Sequence, residues 1–385
     1  MRSKPVSLLI VFTMATVTTK VRAMRIAIQG SGISAATCAE ILNEKHDVTV
    51  FESGRGPGGR MSTRRAEPYQ FDHGAQYFSP KTEAFAEVVD DWCARGLSEV
   101  WEGQHCGWSP DSGVVLNPKA QTSKWYVGTP GMNAISRGLL AGVSTSFETR
   151  AVAQRNKDGG GSKSAWKMMH GKTGKLLGEF DFLICSDKTA AANYRNDLNG
   201  EELQGFVKPA RSVKSAQCLA LMLATKRTNL EFDSLLLEGH PAFSWVARDD
   251  SKPGRTRSDG AECWVAHASP AMTKALLDSY KKNKNSRANA VRGAVVRDLL
   301  PHFEALVADL VGGSSPEILA AHGHRWGAAF PSTVFPSGST HDGGPFYLDS
   351  TNAFAACGDY FSAFPGRVEG GWSSGSSLAT ALLRI

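Results

Sequence analysis

A glycine-rich turn set between two short apolar runs constrains this chain more than any other feature. Residues 25–29 read as a buried strand, Gly30-Ser31-Gly32-Ile33-Ser34-Ala35 as a turn opening a helix over 33–43, and 47–52 as a second strand. In that order the elements make a βαβ unit. Gly30 then permits a tight turn, Gly32 removes a side chain where a pyrophosphate approaches the backbone, and small Ala35 lets helix and strand pack closely. The first helical turn offers unpaired N–H groups and a positive dipole end to phosphate. Glu52 follows about 20 residues on, where a carboxylate accepts hydrogen bonds from a ribose 2′-hydroxyl and disfavours a 2′-phosphate. The turn alone admits NAD or FAD; either requires a parallel sheet flanked by helices, hence an α/β chain.

Its 385 residues exceed one ordinary core, so two domains are expected. Residues 81–96 read as a helix with Phe85, Val88, Val89 and Trp92 on one face, and 130–140 as a short helix. The runs 216–224 and 263–268 suit an antiparallel sheet, 272–310 is helical in pattern, and 180–185 and 353–357 look like buried strands returning to the first sheet. Residues 157–162 read as a loop or hairpin tip. A net charge of +6 with no polybasic stripe argues against nucleic acid as a partner. Seven scattered cysteines without a CxxC pair fit neither a disulfide scaffold nor zinc, and no metal is expected. Residues 1–23 carry four basic and no acidic side chains around an apolar run too short to span a membrane in the mature protein. They suit a secretory signal, an organelle transit peptide for plastid or mitochondrion, or a plain extension before Met24 of a cytoplasmic protein.

Beyond Glu52 come Gly58-Gly59-Arg60 and Phe71-Asp72-His73-Gly74-Ala75-Gln76-Tyr77-Phe78. Further blocks are Trp125-Tyr126-Val127-Gly128-Thr129-Pro130, Ser244-Trp245-Val246-Ala247-Arg248, Lys252-Pro253-Gly254-Arg255, Trp264-Val265-Ala266-His267, His324-Arg325-Trp326, Gly358-Asp359 and Arg367-Val368-Glu369-Gly370-Gly371. Together, through nearly the whole chain after Met24, these resemble the renalase-like branch of the flavin-containing amine oxidase superfamily. The resemblance implies a Rossmann-like, three-layer FAD-binding domain with an inserted mixed α+β substrate domain. On that reading 24–80, 126–190 and 320–385 form the cofactor domain, and 81–125 with 191–319 the substrate domain. Carried over position by position, it implies FAD contacts from Gly30, Gly32, Ile33, Ser34, Glu52, Ser53, Gly59, Arg60, Met61, Ala75, Gln76, Val152, Asp359, Val368 and Glu369. Ser186-Asp187 departs from the pattern, since relatives more often have small residues or proline there.

The same resemblance implies an FAD-dependent oxidoreductase with noncovalent flavin, since Cys357, before Gly358-Asp359, reads as lying on a buried strand rather than as a point of attachment. Hydride would pass from a small donor such as a reduced nicotinamide to FAD, with oxygen as acceptor. An amine is the rival donor, though no lysine counterpart beside the flavin is evident. A flavin-binding structural or assembly protein without turnover is a third reading. His73, Trp245, Arg248, His267, Arg325 and Trp326 are the substrate-pocket candidates, combining aromatic faces with cationic donors.

Overall fold

A computed structural model describes residues 23–156, 165–192, 196–198, 200–282, 288–337 and 343–385. The targeting segment, apart from Ala23, and the loop over 157–162 lie outside the described residues. The βαβ unit forms as strand Arg25–Gln29, helix Ile33–Leu42 and strand Asp47–Phe51. It sits in a six-stranded sheet ordered Tyr347–Asp349, Phe354–Ala356, Phe182–Cys185, Arg25–Gln29, Asp47–Phe51, Ser144–Ser146, parallel except for the first pair. Side chains alternate across this sheet as the two-residue strand period requires. Ile26, Ile28, Val48, Val50 and Ile184 enter a core with the helices Ile33–Leu42 and Val368–Leu382. Ala27, Phe51, Leu183 and Cys185 meet the three-stranded antiparallel sheet of Ala151–Arg155, Trp166–His170 and Leu176–Phe180 on the opposite face. Three layers result.

The two helices approach to backbone contact. A Cβ placed on Gly375 would fall 2.1 Å from the Ser34 carbonyl oxygen, and one on Gly371 would fall 2.6 Å from Ile33 Cγ2. Glycines four residues apart thus form the groove in which helix Ile33–Leu42 lies, and both helix N-termini are brought to the same end of the sheet.

A seven-stranded sheet stands over that end, ordered Ile318–Pro331, Ser215–Thr225, Glu262–Ala268, Phe243–Arg248, Ser234–Leu237, His105–Ser109, Gly113–Leu116. Its pairs are antiparallel except Ser234–Leu237 with His105–Ser109. Helices Pro270–Lys282 and Ala288–Val311 cover one face, with Leu219, Leu221, Leu223, Trp264 and Ala266 between. The other face looks toward the six-stranded sheet. The strand Ile318–Pro331, most of which the sequence reading gave to the cofactor domain, runs along Ser215–Thr225 instead, because its alternate small and aromatic residues complete that sheet's edge. Among the described residues no helix is long and apolar enough to cross a membrane.

Candidate functional site

An elongated cleft of about 430 Å³ runs along the C-terminal ends of the parallel strands, where open α/β sheets hold ligands. Its floor is the turn after strand Arg25–Gln29. Gly30 has φ +95°, and a Cβ there would lie 2.4 Å from Ser186 Oγ, so both conformation and space demand glycine. At Gly32 the situation differs. Its φ is −68°, and an added Cβ would meet nothing nearer than the Gly58 carbonyl oxygen at 3.9 Å. The protein leaves room for a methyl group here; a ligand passing along the turn would not.

Glu52 lies at the cleft's outer end, its carboxylate accepting hydrogen bonds from Ser31 N (3.0 Å), Ser31 Oγ (2.6 Å) and Gly54 N (2.6 Å). Arg60 reaches across the cleft to Asp359, Nη1 to Oδ2 at 2.8 Å and Nη2 to Oδ1 at 2.5 Å, a bidentate pair. Asp359 also accepts from Gly366 N at 2.8 Å, which fixes the loop leading into helix Val368–Leu382. The N-terminus of that helix, at Arg367 and Val368, lines the cleft opposite the N-terminus of helix Ile33–Leu42.

Among the positions that the resemblance assigns to FAD, Gly30, Gly32, Ile33, Ser34, Glu52, Ser53, Gly59, Arg60, Met61, Ala75, Asp359 and Val368 line the cleft. Gln76, Val152 and Glu369 do not. Gln76 is buried, its amide nitrogen donating to the Asp72 carbonyl and its oxygen accepting from Lys252 Nζ at 3.4 Å. The cleft is lined at Arg150 and Ala151 rather than at Val152, the next residue along that strand. The Glu369 carboxylate accepts from Lys81 N, Thr82 N and Thr82 Oγ1, tying the C-terminal helix to the start of helix Glu83–Ala94. Cys357 is fully buried and absent from the cleft wall.

The inner end of the cleft lies under the seven-stranded sheet, and strand phase decides which candidates face it. His267 and Trp326 line the wall with Gly74 and Ala75. Both give their only ring N–H bonds to one acceptor, the His73 carbonyl: His267 Nε2 at 3.0 Å and Trp326 Nε1 at 2.8 Å. They brace the turn that carries Gly74 and Ala75 and offer the cleft ring faces. With Nε2 protonated, His267 keeps Nδ1 as an acceptor. His73 packs between His324 and Trp326, ring centroids 4.6 and 4.9 Å away. Trp245 points to the same side but joins Tyr77 and Trp125 in an aromatic cluster, Tyr77 stacking on Trp125 at 3.8 Å.

Arg248 and Arg325 are directed elsewhere. Arg248 pairs with Asp233 and lies over Trp264 on the helix-covered face, and Arg325 stands opposite Leu219, whose side chain enters that same core. Each is an odd number of residues from the cleft-side aromatic of its own strand, so a regular pleat must send it to the far face. Reading the blocks as whole motifs overlooked that period. It also missed Ser186, whose hydroxyl donates to the Gln29 carbonyl at 2.8 Å beside Gly30, and Cys218, paired across strands with Trp326 on the cleft wall.

Burial, joined by the neighbouring His324 and Arg64, pushes His73 down to about 3; burial, partly opposed by its bond to His73, brings His267 to about 4; burial with Arg292 and Arg64 brings His324 to about 4. All three are uncharged at neutral pH. Since the unfolded chain protonates histidine near pH 6.5, it binds more protons than the folded one below that pH, and stability falls as pH falls toward 4. Asp250, raised by burial to about 6, opposes with one proton. The free energy of unfolding is therefore expected to drop between pH 6.5 and 5, by up to about 1.4 kcal/mol per net proton per pH unit. His324→Gln should flatten the slope, and a level wild-type profile across that window refutes the assignment.

Comparison with known proteins agrees with this geometry. A family described as an NAD(P)-binding Rossmann-like domain matches residues 28–92. Solved structures of similar fold include a provisionally named protoporphyrinogen oxidase from Exiguobacterium sp. 255-15, with a TM-score of 0.65 at 9% identity over 94% of this chain and 100% of that one. An oxidoreductase from Methanosarcina mazei gives 0.63 at 13% identity over 94% and 100%. A putrescine oxidase variant with redesigned cofactor binding gives 0.60 at 12% identity over 94% and 99%. The chain thus has an α/β fold built on a Rossmann-like nucleotide-binding sheet, shared along nearly its whole length with oxidoreductases of diverse substrate.

Proposed function

We propose that this protein is an FAD-dependent oxidoreductase of the renalase-like kind, which oxidises a small donor, a dihydronicotinamide before an amine, and returns the electrons to oxygen. The observation that carries the reading is the single cleft with a carboxylate at one end, two helix N-termini midway and a neutral aromatic wall at the other. An extended dinucleotide ending in a planar ring system matches that sequence of surroundings. The fit is supported at Gly32, where the fold leaves room for a side chain that the sequence does not supply.

Bound FAD would contribute a hydride-accepting ring nitrogen, N5. Glu52 would accept from ribose hydroxyls, and the backbone from Gly32 to Ser34 would donate to the pyrophosphate. Arg60 and Asp359 would clasp the middle of the cofactor without covalent attachment. The N-terminus of helix Val368–Leu382 would stabilise negative charge arising at the flavin's pyrimidine edge. His267 and Trp326, their N–H groups engaged, would keep the inner wall uncharged and exclude water, while His267 Nδ1 remains available to accept a proton or hydrogen bond.

Gly32→Ala separates ligand space from fold. The apo protein is expected to lose no more than about 1 kcal/mol, the cost of a changed helix cap, while FAD affinity falls roughly 10- to 100-fold through overpacking in the occupied cleft. Full flavin absorbance in the purified variant would overturn this placement of the pyrophosphate. For the donor, anaerobic bleaching of the flavin by dihydronicotinamides but not amines supports the proposal; the reverse result replaces it with amine oxidation. A yellow protein that no donor bleaches would mark a binding protein without turnover.

A further inference from the structure

At one opening of the cleft, apolar and basic side chains stand together on the surface. Strand Ile318–Pro331 carries Phe330 near its end, and the chain then bends through Ser332 and Thr333 to Val334. Phe330 and Val334 are 50% and 48% exposed, among the few large apolar side chains on the described surface. The bend is held in place: Ser332 N donates to the Lys214 carbonyl at 2.9 Å, and Lys214 N donates to Thr333 Oγ1 at 2.8 Å. A Cβ on Gly366 would fall 3.1 Å from Phe330 Cδ1, so the Phe330 ring lies against the residue before Arg367. Phe335 stacks on Phe206 with 6.1 Å between centroids, which seats helix Gln204–Ser212 against the same segment.

Cations surround that segment. The helix buries Phe206, Val207 and Ala210 and exposes Lys208 and Arg211, which three-residue spacing makes neighbours on its outer side. Lys214 is exposed just past the helix, Lys188 Nζ donates to the Val213 carbonyl, and Arg367 is exposed beside Gly366. An acid, Asp187, stands next to Lys188, its carboxylate accepting from Thr189 N and Oγ1. Glu201 and Glu202 lie at the opposite end of the helix, where Glu202 faces Arg155 at 3.8 Å. Lys188, Ser215, Phe330, Pro331 and Arg367 also line the cleft, so the patch forms part of the rim of its opening.

Half-exposed apolar side chains gain free energy wherever they can leave water, and long basic side chains around them can reach an anionic layer while the apolar groups pass below it. At an anionic bilayer those two attractions add. We propose that this rim is a peripheral docking surface for an anionic lipid bilayer, with Phe330 and Val334 entering the interface and Lys208, Arg211, Lys214 and Arg367 meeting the headgroups. Two separate apolar side chains among long cations ask for no shaped counterpart, and a fluid bilayer supplies none. A protein interface depends instead on complementary packing about its apolar centre. Docked in this way, the cleft opens toward the lipid headgroups. The proposal does not rest on the oxidoreductase reading.

Sedimentation of the purified full chain with lipid vesicles tests the surface. Phosphatidylcholine vesicles containing about one-third phosphatidylglycerol should bind it, phosphatidylcholine alone should bind it at least about tenfold more weakly, and added salt should release it. Lys208→Gln combined with Lys214→Gln is expected to weaken binding about tenfold or more. Val334→Ser should weaken it about threefold or more. Val115, 46% exposed in the strand at the far edge of the seven-stranded sheet, supplies the control, and Val115→Ser should leave binding unchanged. These side chains are exposed and none lines the cleft, so unfolding midpoints and flavin content should match those of wild type. Binding indifferent to lipid charge, full binding by the double lysine variant, or equal loss in Val334→Ser and Val115→Ser overturns the proposal. Wild type that ignores both kinds of vesicle also overturns it and leaves the rim to an acidic protein partner. A protein that ignores vesicles while its flavin is bleached by a donor would lose this surface alone and keep the oxidoreductase reading.

Discussion

Asp249→Ala is expected to cost the fold about 3–5 kcal/mol, because it removes one charge from a fully buried group of four. Asp72, Asp249, Lys252 and Arg255 each have side chains no more than 1% exposed. Lys252 Nζ lies 2.6 Å from Asp249 Oδ1, and Arg255 Nη2 lies 2.7 Å from Asp72 Oδ2. Neutral groups add to the network: Thr63 Oγ1 and Met132 N donate to Asp72 Oδ1, while Arg255 donates to the carbonyls of Gly128 and Pro130. Two cations facing a single carboxylate in that interior would have no water to turn to. The same network holds the turn from Asp72 to Gln76, which carries Gly74 and Ala75 to the cleft, so flavin occupancy should fall with stability. Urea unfolding of wild type, Asp249→Ala and Asp249→Asn measures the effect. Asparagine can still accept from the Asp72 N–H and should lose less; a loss below about 1 kcal/mol in the alanine variant would show the charges are not mutually required.

The second large effect is expected at Gly375. Leucine there must displace the Ser34 carbonyl, a backbone atom that cannot swing aside, so overpacking should cost about 3 kcal/mol or more. The strain falls on the crossing that brings both helix N-termini to the cleft, and FAD should therefore no longer raise the unfolding temperature of whatever protein folds. Thr380→Leu, on the exposed side of the same helix, should stay within about 0.5 kcal/mol. Thermal scans with and without added FAD distinguish the two variants. A Gly375→Leu protein stabilised by FAD as much as wild type would mean that the crossing does not govern the site.

The parts of this molecule that could be read from sequence are those whose causes are local. Gly30, Gly32 and the strand-turn-helix around them announce themselves within thirty residues, and Phe85, Val89 and Trp92 mark their helix by spacing alone. Arg248 and Arg325 were open to the same kind of reasoning, since the two-residue period separates them from the cleft-side aromatics of their strands, but grouping residues into motifs hid it. Other features had no local signal. Gln76 follows Ala75, which lines the cleft, yet turns to Lys252, 176 residues away in sequence. Glu369 follows Val368, and its carboxylate is drawn to backbone N–H groups 287 and 288 positions earlier. Lys252 and Arg255 attracted notice only as a family block. Their burial depends on Asp72, which nothing in their own neighbourhood specifies.

The clasp between Arg60 and Asp359 spans 299 residues. At a synthesis rate of about 5–20 residues per second, its second half leaves the ribosome roughly 15–60 s after the first. Throughout that interval the glycine turn has only half of its cradle, and the groove that seats helix Ile33–Leu42 does not yet exist. On the proposed reading, a cofactor clasped by this pair would be retained only after the residues of the antiparallel sheet have been made. The approach of Gly375 to Ser34 is likewise closed to the chain until its last residues are made.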